Sequence, residues 1–290
     1  MKILVLGASG MIGHKIWQYL NNKFTDTYFS LHHSYEQYEH LKIFPNVNYI
    51  DNFNAQNFPE AIKAIGSINP DIIINAIGIT IRKGIDQNPE YTKKINSDFP
   101  HLLAEYCNKT NSKLIHFSTD CVFSGIKTNP YTESDEPDAD DLYGRSKANG
   151  EVIDNSSTMT IRASMIGREL ISHTELLDWL LLQHKNSKIF GYTNAIYSGI
   201  TTLEMAKIIS DILANNKFYS GLYHVSSNPI SKYELLVKAA KTWNRDDIQI
   251  EPREATKSSN KSLDSSLFQE KFNWEQKPWD LMLSELFSNN

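Results

Sequence analysis

The chain has 290 residues, with 29 Lys and Arg against 34 Asp and Glu, a formal charge of −5 and 40% hydrophobic residues. At roughly 150 residues per domain that length suits a large α/β domain with a smaller lobe, and it buries enough surface to fold without disulfides or a structural metal. The absence of a basic block sets nucleic acid aside as a partner, and no apolar stretch approaches the roughly 18 residues of a membrane span. Two cysteines, Cys107 and Cys121, stand in no metal-like or redox-like spacing, which fits a reducing compartment. The apolar opening Met1–Leu6 is too short for a signal peptide and reads as a buried first strand, so a cytoplasmic protein is expected.

Short apolar runs alternate with helix-like stretches from the start. Ile3–Leu6 reads as a strand, and Met11–Asn21 carries Ile12, Ile16, Tyr19 and Leu20 at helical spacing. Strands follow at Tyr28–Leu31 and Val47–Ile50, then a helix over Ala55–Ile68 and a strand over Asp71–Ile77. Asn88-Pro89-Glu90 combines a capping Asn, a first-turn Pro and an acid, which starts a helix running to about Lys109. A strand at Lys113–Ser118, a helix at Tyr143–Asn155 and a strand at Met159–Ser164 complete the alternation.

This pattern predicts a doubly wound Rossmann α/β fold with a parallel sheet, its dinucleotide-binding domain at 1–165. Beyond it come helices at Leu176–Leu182, Leu203–Leu213 and Lys232–Trp243, and a strand at Leu222–Val225. Glu254–Ser266, with five serines in thirteen residues, reads as a loop, and Phe272–Phe287 as a docking tail. Segment 188–226 is expected to return to the first domain, leaving 166–187 and 227–290 as a smaller C-terminal substrate-binding lobe.

Chemistry first shows in Gly7-Ala8-Ser9-Gly10-Met11-Ile12-Gly13, between the first strand and the first helix. Glycines there allow a tight turn, close approach of backbone to a pyrophosphate and close helix–strand packing, while free N–H groups at the helix start hold phosphates. Many dinucleotide sites place an acid after the second strand to bond the 2′-hydroxyl. Here Ser30, His32 and His33 occupy that region with no acid before Glu36, which favours NADPH over NADH.

Thr119 ends the fifth strand, and Tyr143 and Lys147 lie four residues apart on one helix face. An ammonium ~4 Å from a phenol favours the phenolate by ~4 kcal/mol at an effective dielectric near 20. That would bring the Tyr143 pKa toward neutrality and equip it to exchange a proton with a carbonyl or alcohol oxygen, with Thr119 bonding the same oxygen.

The set Gly7–Gly13, Asn75-Ala76, Asn96, Ser118–Gly125, Pro130–Glu133, Leu142–Lys147 and Gly150-Glu151 resembles the extended short-chain dehydrogenases/reductases, and among them the dTDP-4-dehydrorhamnose reductase group. The resemblance implies Thr119, Tyr143 and Lys147 as catalytic residues and hydride delivery to C4 of a nucleotide-linked 4-keto-6-deoxy sugar, in the synthesis of surface polysaccharide sugars. It implies cofactor contacts at Gly7, Ser9, Gly10, Met11, Ile12, Gly13, His32, His33, Asp51, Asn75, Ala76, Ile77, Asn96, Ser118, Tyr143 and Lys147. Substrate contacts are expected at Thr119, Asp120, Cys121, Val122, Phe123 and Tyr143. Asn194 and Ser198 join them from a segment resembling the one where the family meets its sugar nucleotide, and Arg168 and Lys261 as partners for a diphosphate.

Cys121 departs from the aromatic residue expected after Ser-Thr-Asp, and it also replaces the acid that sister dehydratases carry there. The six carboxylates between Glu133 and Asp141 read as a solvated loop capping the next helix rather than a metal site, and no metal is expected. An epimerase that retains NAD(P) and a non-catalytic NADP-binding regulatory subunit, like that of methionine adenosyltransferase, are the alternatives. A homodimer is the default oligomer.

Overall fold

The computed structural model describes residues 1–80 and 88–289. Its first half runs β1 (Ile3–Leu6), α1 (Met11–Asn21), β2 (Thr27–Ser30), α2 (Glu36–Glu39), β3 (Tyr49–Ile50), α3 (Phe58–Ile68), β4 (Ile72–Asn75), α4 (Pro89–Lys93), α5 (Phe99–Thr110), β5 (Lys113–Ser118), α6 (Leu142–Ala148) and β6 (Thr158–Arg162). Then come β7 (Met165–Ile166), α7 (Leu176–Leu181), β8 (Lys188–Tyr192), β9 (Ala195–Tyr197), β10 (Ile200–Thr201), α8 (Thr202–Ala214) and β11 (Gly221–His224). The chain closes with β12 (Ile230–Ser231), α9 (Lys232–Thr242), β13 (Gln249–Arg253), β14 (Ser259–Asn260), α10 (Ser266–Phe272) and α11 (Trp279–Ser288).

Seven strands make one parallel sheet in the order β11-β6-β5-β4-β1-β2-β3. This is the doubly wound Rossmann arrangement. The order reverses between β1 and β4, so the connections leaving those two strands diverge and open a crevice at their carboxyl ends. Both faces of the sheet are covered, which is why the central strands read as continuous aliphatic runs. Alternate residues feed two cores: Ile3, Val5, Ile72, Ile74 and Ile115 on one face, Leu4, Leu6, Ile73 and Leu114 on the other.

Within 188–226, α8 packs on α1 and β11 joins the sheet beside β6, whereas β8 pairs with β13 and β9 with β12 and β14. The expected loop at 254–266 contains β14, held by pairing with β9. The expected tail, Phe272–Phe287, takes in the last residue of α10 and most of α11, and docks through the buried side chains of Phe272, Trp279, Leu283 and Leu286. Among the described residues no helix is long and apolar enough to cross a membrane.

Two departures from the expected helices bear on the site. The helix from Asn88 is interrupted by a π-turn at Lys94–Asp98, a widened turn often found at functional positions, and it carries Asn96. The helix expected over Tyr143–Asn155 stops at Ala148. Gly150 there lies so close to the π-turn that a β-carbon would fall 1.9 Å from the Asn96 carbonyl oxygen.

Just past α6, Glu151 is buried against Arg162 of β6, with Nε–Oε1 and Nη2–Oε2 both 2.7 Å. Ser118, at the end of β5, donates its hydroxyl to the same carboxylate at 2.6 Å. The Arg162 guanidinium lies 5.0 Å from the Phe123 ring centroid and 3.3 Å from His224 Nε2, and the His224 N–H donates to Glu133 at 2.7 Å. The Glu151 carboxylate therefore ties the end of the helix carrying Tyr143 and Lys147 to β6 through Arg162 and, through Ser118, to the strand that delivers Thr119. Removing one member strands the other in low dielectric, at about 3–5 kcal/mol. Glu151→Gln should lose stability on that scale in urea unfolding, whereas Asp98→Asn, which breaks the exposed pair with Lys93, should cost under about 1 kcal/mol. Equal, small losses would contradict the role given to Glu151.

Candidate active site

The β1–α1 turn is built around glycine. Gly7 has φ +80°, and its N–H donates to Ser30 Oγ at 3.0 Å. Gly13 lies beneath the turn, where a β-carbon would fall 2.2 Å from the Gly7 carbonyl oxygen, so it serves packing. α1 starts at Gly10 with no side-chain cap and no acid in its first turn. Its first N–H groups and the positive end of its dipole thus remain available to an anion.

A cavity of about 430 Å³ lies over this turn, walled by Gly7, Ser9, Gly10, Met11, Ala76 and Ile77 among others. His32, His33 and Tyr38 also line it, the two imidazoles with ring centroids 4.5 Å apart. A second cavity of about 320 Å³ shares Gly10, Met11, Ala76 and Ile77 and reaches Ile12, Ser118, Thr119, Cys121, Tyr143 and Lys147. The glycine turn and the three catalytic candidates thus face one continuous space at the carboxyl end of the sheet.

Each candidate catalytic side chain is fixed by its local structure. Thr119 caps a short 3₁₀ turn, accepting from the Cys121 N–H at 3.1 Å and donating to Asp120 Oδ1 at 3.1 Å, and its hydroxyl lies near enough to the Tyr143 phenol to favour the phenolate. Asp141 caps α6 through the Gly144 N–H at 2.8 Å. Lys147 is buried and donates to the Phe117 carbonyl at 2.7 Å. Asn96 clasps the Ile79 backbone in both directions, at 2.8 and 3.0 Å, and donates to Ser146 Oγ at 3.0 Å.

The electrostatics correct one expectation. Desolvation pushes the Tyr143 phenol above its ordinary range, helped by nearby Cys121, Asp120 and Glu175 and opposed by the Thr119 hydrogen bond. The phenol is not drawn toward neutrality, because the ammonium expected to do so is itself desolvated and bonded to Phe117. Burial lowers the Lys147 pKa to about 8, with Glu151 pulling it back up. Cys121 is a neutral thiol, its pKa pushed up to about 12 mainly by burial.

Other expected residues do structural work. Ser118 gives its hydroxyl to Glu151. Asn75 bonds His116 at 3.2 Å and the Ile77 N–H at 3.1 Å. Val122 and Phe123 are fully buried in a cluster with Tyr131 and Leu263 and present no surface to a substrate; buried Asp120 takes the Thr119 hydroxyl. Arg168 is engaged by the buried carboxylate of Asp178. The Asn194 amide bonds the Ala255 backbone at 2.9 and 2.8 Å, and Ser198 Oγ accepts from the Leu263 N–H at 2.8 Å.

Asp51 is exposed, and Phe53, Asn54 and Ala55 line the cavity on that side instead. Lys261 packs beside Gly125, with its charge felt at Cys121. The acidic run is held piecewise: Glu133 by His224, Asp135 by Lys127, Asp138 by Ser124 and Asp141 by α6. Sequence reasoning missed Glu169, Leu170, Ile171 and Ser172, which wall the first cavity, and Glu175, which lines the second. They sit in an irregular segment with no periodic signal.

Comparison with known proteins agrees with this geometry. The chain is 29% identical over 152 residues to dTDP-4-dehydrorhamnose reductase of Escherichia coli (strain K12), a stretch that covers 52% of this chain and 46%, less than half, of that protein. It is 25% identical over 253 residues to dTDP-4-dehydrorhamnose reductase of Salmonella typhimurium, covering 78% of this chain and 83% of that one. The crystal structure of dTDP-4-dehydrorhamnose reductase from Bacillus anthracis in complex with NADP superposes with a TM-score of 0.80 at 19% identity, covering 100% of both chains, which shows a shared fold. The model of the RmlD substrate binding domain family matches residues 1–290, and the chain belongs to that family.

Proposed function

We propose that the chain is an NADPH-dependent reductase of a nucleotide-linked 4-keto-6-deoxy sugar, its product a deoxysugar for surface polysaccharide. The observation that carries this reading is the pair of adjoining cavities, with shared lining at Gly10, Met11, Ala76 and Ile77, that join an uncapped, glycine-built helix start to Thr119, Tyr143 and Lys147. The relatives named as dTDP-4-dehydrorhamnose reductases support it.

The residues present fit a dinucleotide. The first-turn N–H groups of α1 would hold its pyrophosphate, in a turn where Gly7 and Gly13 leave no room for side chains. Ser30, His32, His33, Tyr38 and Asn54 line the cavity beside β2 with no carboxylate to repel a 2′-phosphate. When bound, the nicotinamide would supply a hydride to the C4 carbonyl.

Everything else falls to the chain. A phenol held above its ordinary pKa is protonated at neutral pH, the state a proton donor to a developing alkoxide requires. Thr119, whose hydroxyl proton rests on Asp120, would turn that proton toward the same oxygen and steady the charge that appears on it. Lys147, with a pKa near 8, still carries its proton at neutral pH, and it counters the phenolate left behind. The thiol of Cys121, neutral up to about 12, cannot serve as the base that elimination of water would need. Reduction therefore suits the site better than dehydration.

Tyr143→Phe should lower kcat by about a hundred- to ten-thousand-fold with NADPH affinity unchanged, read by steady-state kinetics and by quenching of protein fluorescence on titration. Near-normal turnover would refute the proton-donor role. Replacing His32 and His33 together by Ala should raise KM for NADPH and leave KM for NADH unchanged; equal changes for both would remove the 2′-phosphate assignment.

A further inference from the structure

His116 is the one polar residue in the run Leu114-Ile115-His116-Phe117 of β5. It is wholly buried, on the sheet face that carries Leu4, Ile73 and Leu114. An aliphatic side chain would fill that place with no polar group to desolvate, so the imidazole calls for a reason. Its register partners are Asn75, the last residue of β4, and Thr160 on β6. Thr160 turns its hydroxyl to the Val152 carbonyl at 2.7 Å. That leaves Asn75, 3.2 Å from Nδ1, as the ring's one hydrogen-bond partner among the described residues.

This bond fixes two orientations at once. Asn75 Oδ1 accepts the Ile77 N–H at 3.1 Å, so the amide presents its Nδ2–H to the ring. Nδ1 must then accept, which puts the imidazole proton on Nε2. Burial, with like charge from Lys147 and His101, holds the ring well below its ordinary pKa and therefore neutral. Conversely, the Nδ1 lone pair admits one orientation of the amide. A flipped Asn75 would set its carbonyl against Nδ1 and its NH2 group against the Ile77 N–H.

Ile77 is where that orientation matters. The Ala76 N–H still pairs with the Leu6 carbonyl at 3.1 Å, but Ile77 lies past the end of the ladder and its N–H relies on the Asn75 side chain. Ala76 and Ile77 wall both the cavity over the glycine turn and the cavity of Tyr143. Ile77 also presses on that turn, since a β-carbon at Gly7 would fall 2.9 Å from Ile77 Cγ1. Rotation of the Asn75 amide would therefore shift a partition common to both cavities.

We propose that His116 is a positioning residue for the cofactor: it holds the Asn75 amide in the one orientation that braces Ile77. The proposal rests on the reading that these cavities take a dinucleotide.

Calorimetric titration with NADPH, comparing wild type with variants of His116, tests it, and nitrogen NMR of the wild-type ring reads the tautomer. An Asn side chain sets its carbonyl oxygen near the place of Nδ1, whereas a Gln amide reaches toward the place of Nε2. His116→Leu and His116→Gln should weaken NADPH about ten-fold, and His116→Asn should stay within about three-fold of wild type. In turnover the first two should raise KM for NADPH and leave kcat within about three-fold. His116→Asn and His116→Gln both bury an amide, so they should unfold at similar urea concentrations despite their different affinities. Equal losses of affinity in those two variants, unchanged affinity in His116→Leu, or a ring protonated at Nδ1 would overturn the proposal alone. Absence of NADPH binding to wild type would refute the dinucleotide reading and the proposal with it.

Discussion

The site depends on one buried ion pair. Arg162 on the sheet and Glu151 just past α6 are both almost wholly removed from water, where either charge alone would be costly. Paired and hydrogen-bonded, they fix the end of α6 against β5 and β6, and Ser118 adds its hydroxyl to the same carboxylate. Lys147 lies four residues before Glu151 and Thr119 one residue after Ser118. Through Arg162, His224 and Glu133 the same network reaches the loop at Tyr131, which bridges to Leu263.

Burial beside that anchor holds the phenol in its neutral form more firmly than water would. Desolvation raises the phenol and lowers the ammonium, moving their pKa values apart. In the proposed reduction the proton would stay on Tyr143 until a stronger base, an alkoxide forming on the substrate, is placed next to it. An isolated Tyr–Lys pair, considered from spacing alone, points the other way, because Coulomb attraction is legible in sequence and burial is not.

The same division explains what else could be read in advance. The alternation from Ile3 to Ser164 predicts the parallel sheet, since strands buried on both faces must be aliphatic throughout. Gly7, Gly10 and Gly13, with Tyr143 and Lys147, are visible because their chemistry needs particular residues at particular spacings. Asn194 and Ser198 look like ligands in sequence, yet their polar groups satisfy the backbone of Ala255 and Leu263, a demand that exists only once the chain has folded. Lys232 lies forty residues from Tyr192 and forty-two from Phe190, and the close crossing of α9 at Gly191 sets all three around one cavity.

The most direct measurement is nicotinamide absorbance with purified protein, NADPH or NADH, and dTDP- or UDP-linked 4-keto-6-deoxy sugars generated in situ. A reductase of this design consumes one NADPH per sugar, with NADPH preferred over NADH. Measurable NADPH binding with no oxidation by any of these sugars would contradict it.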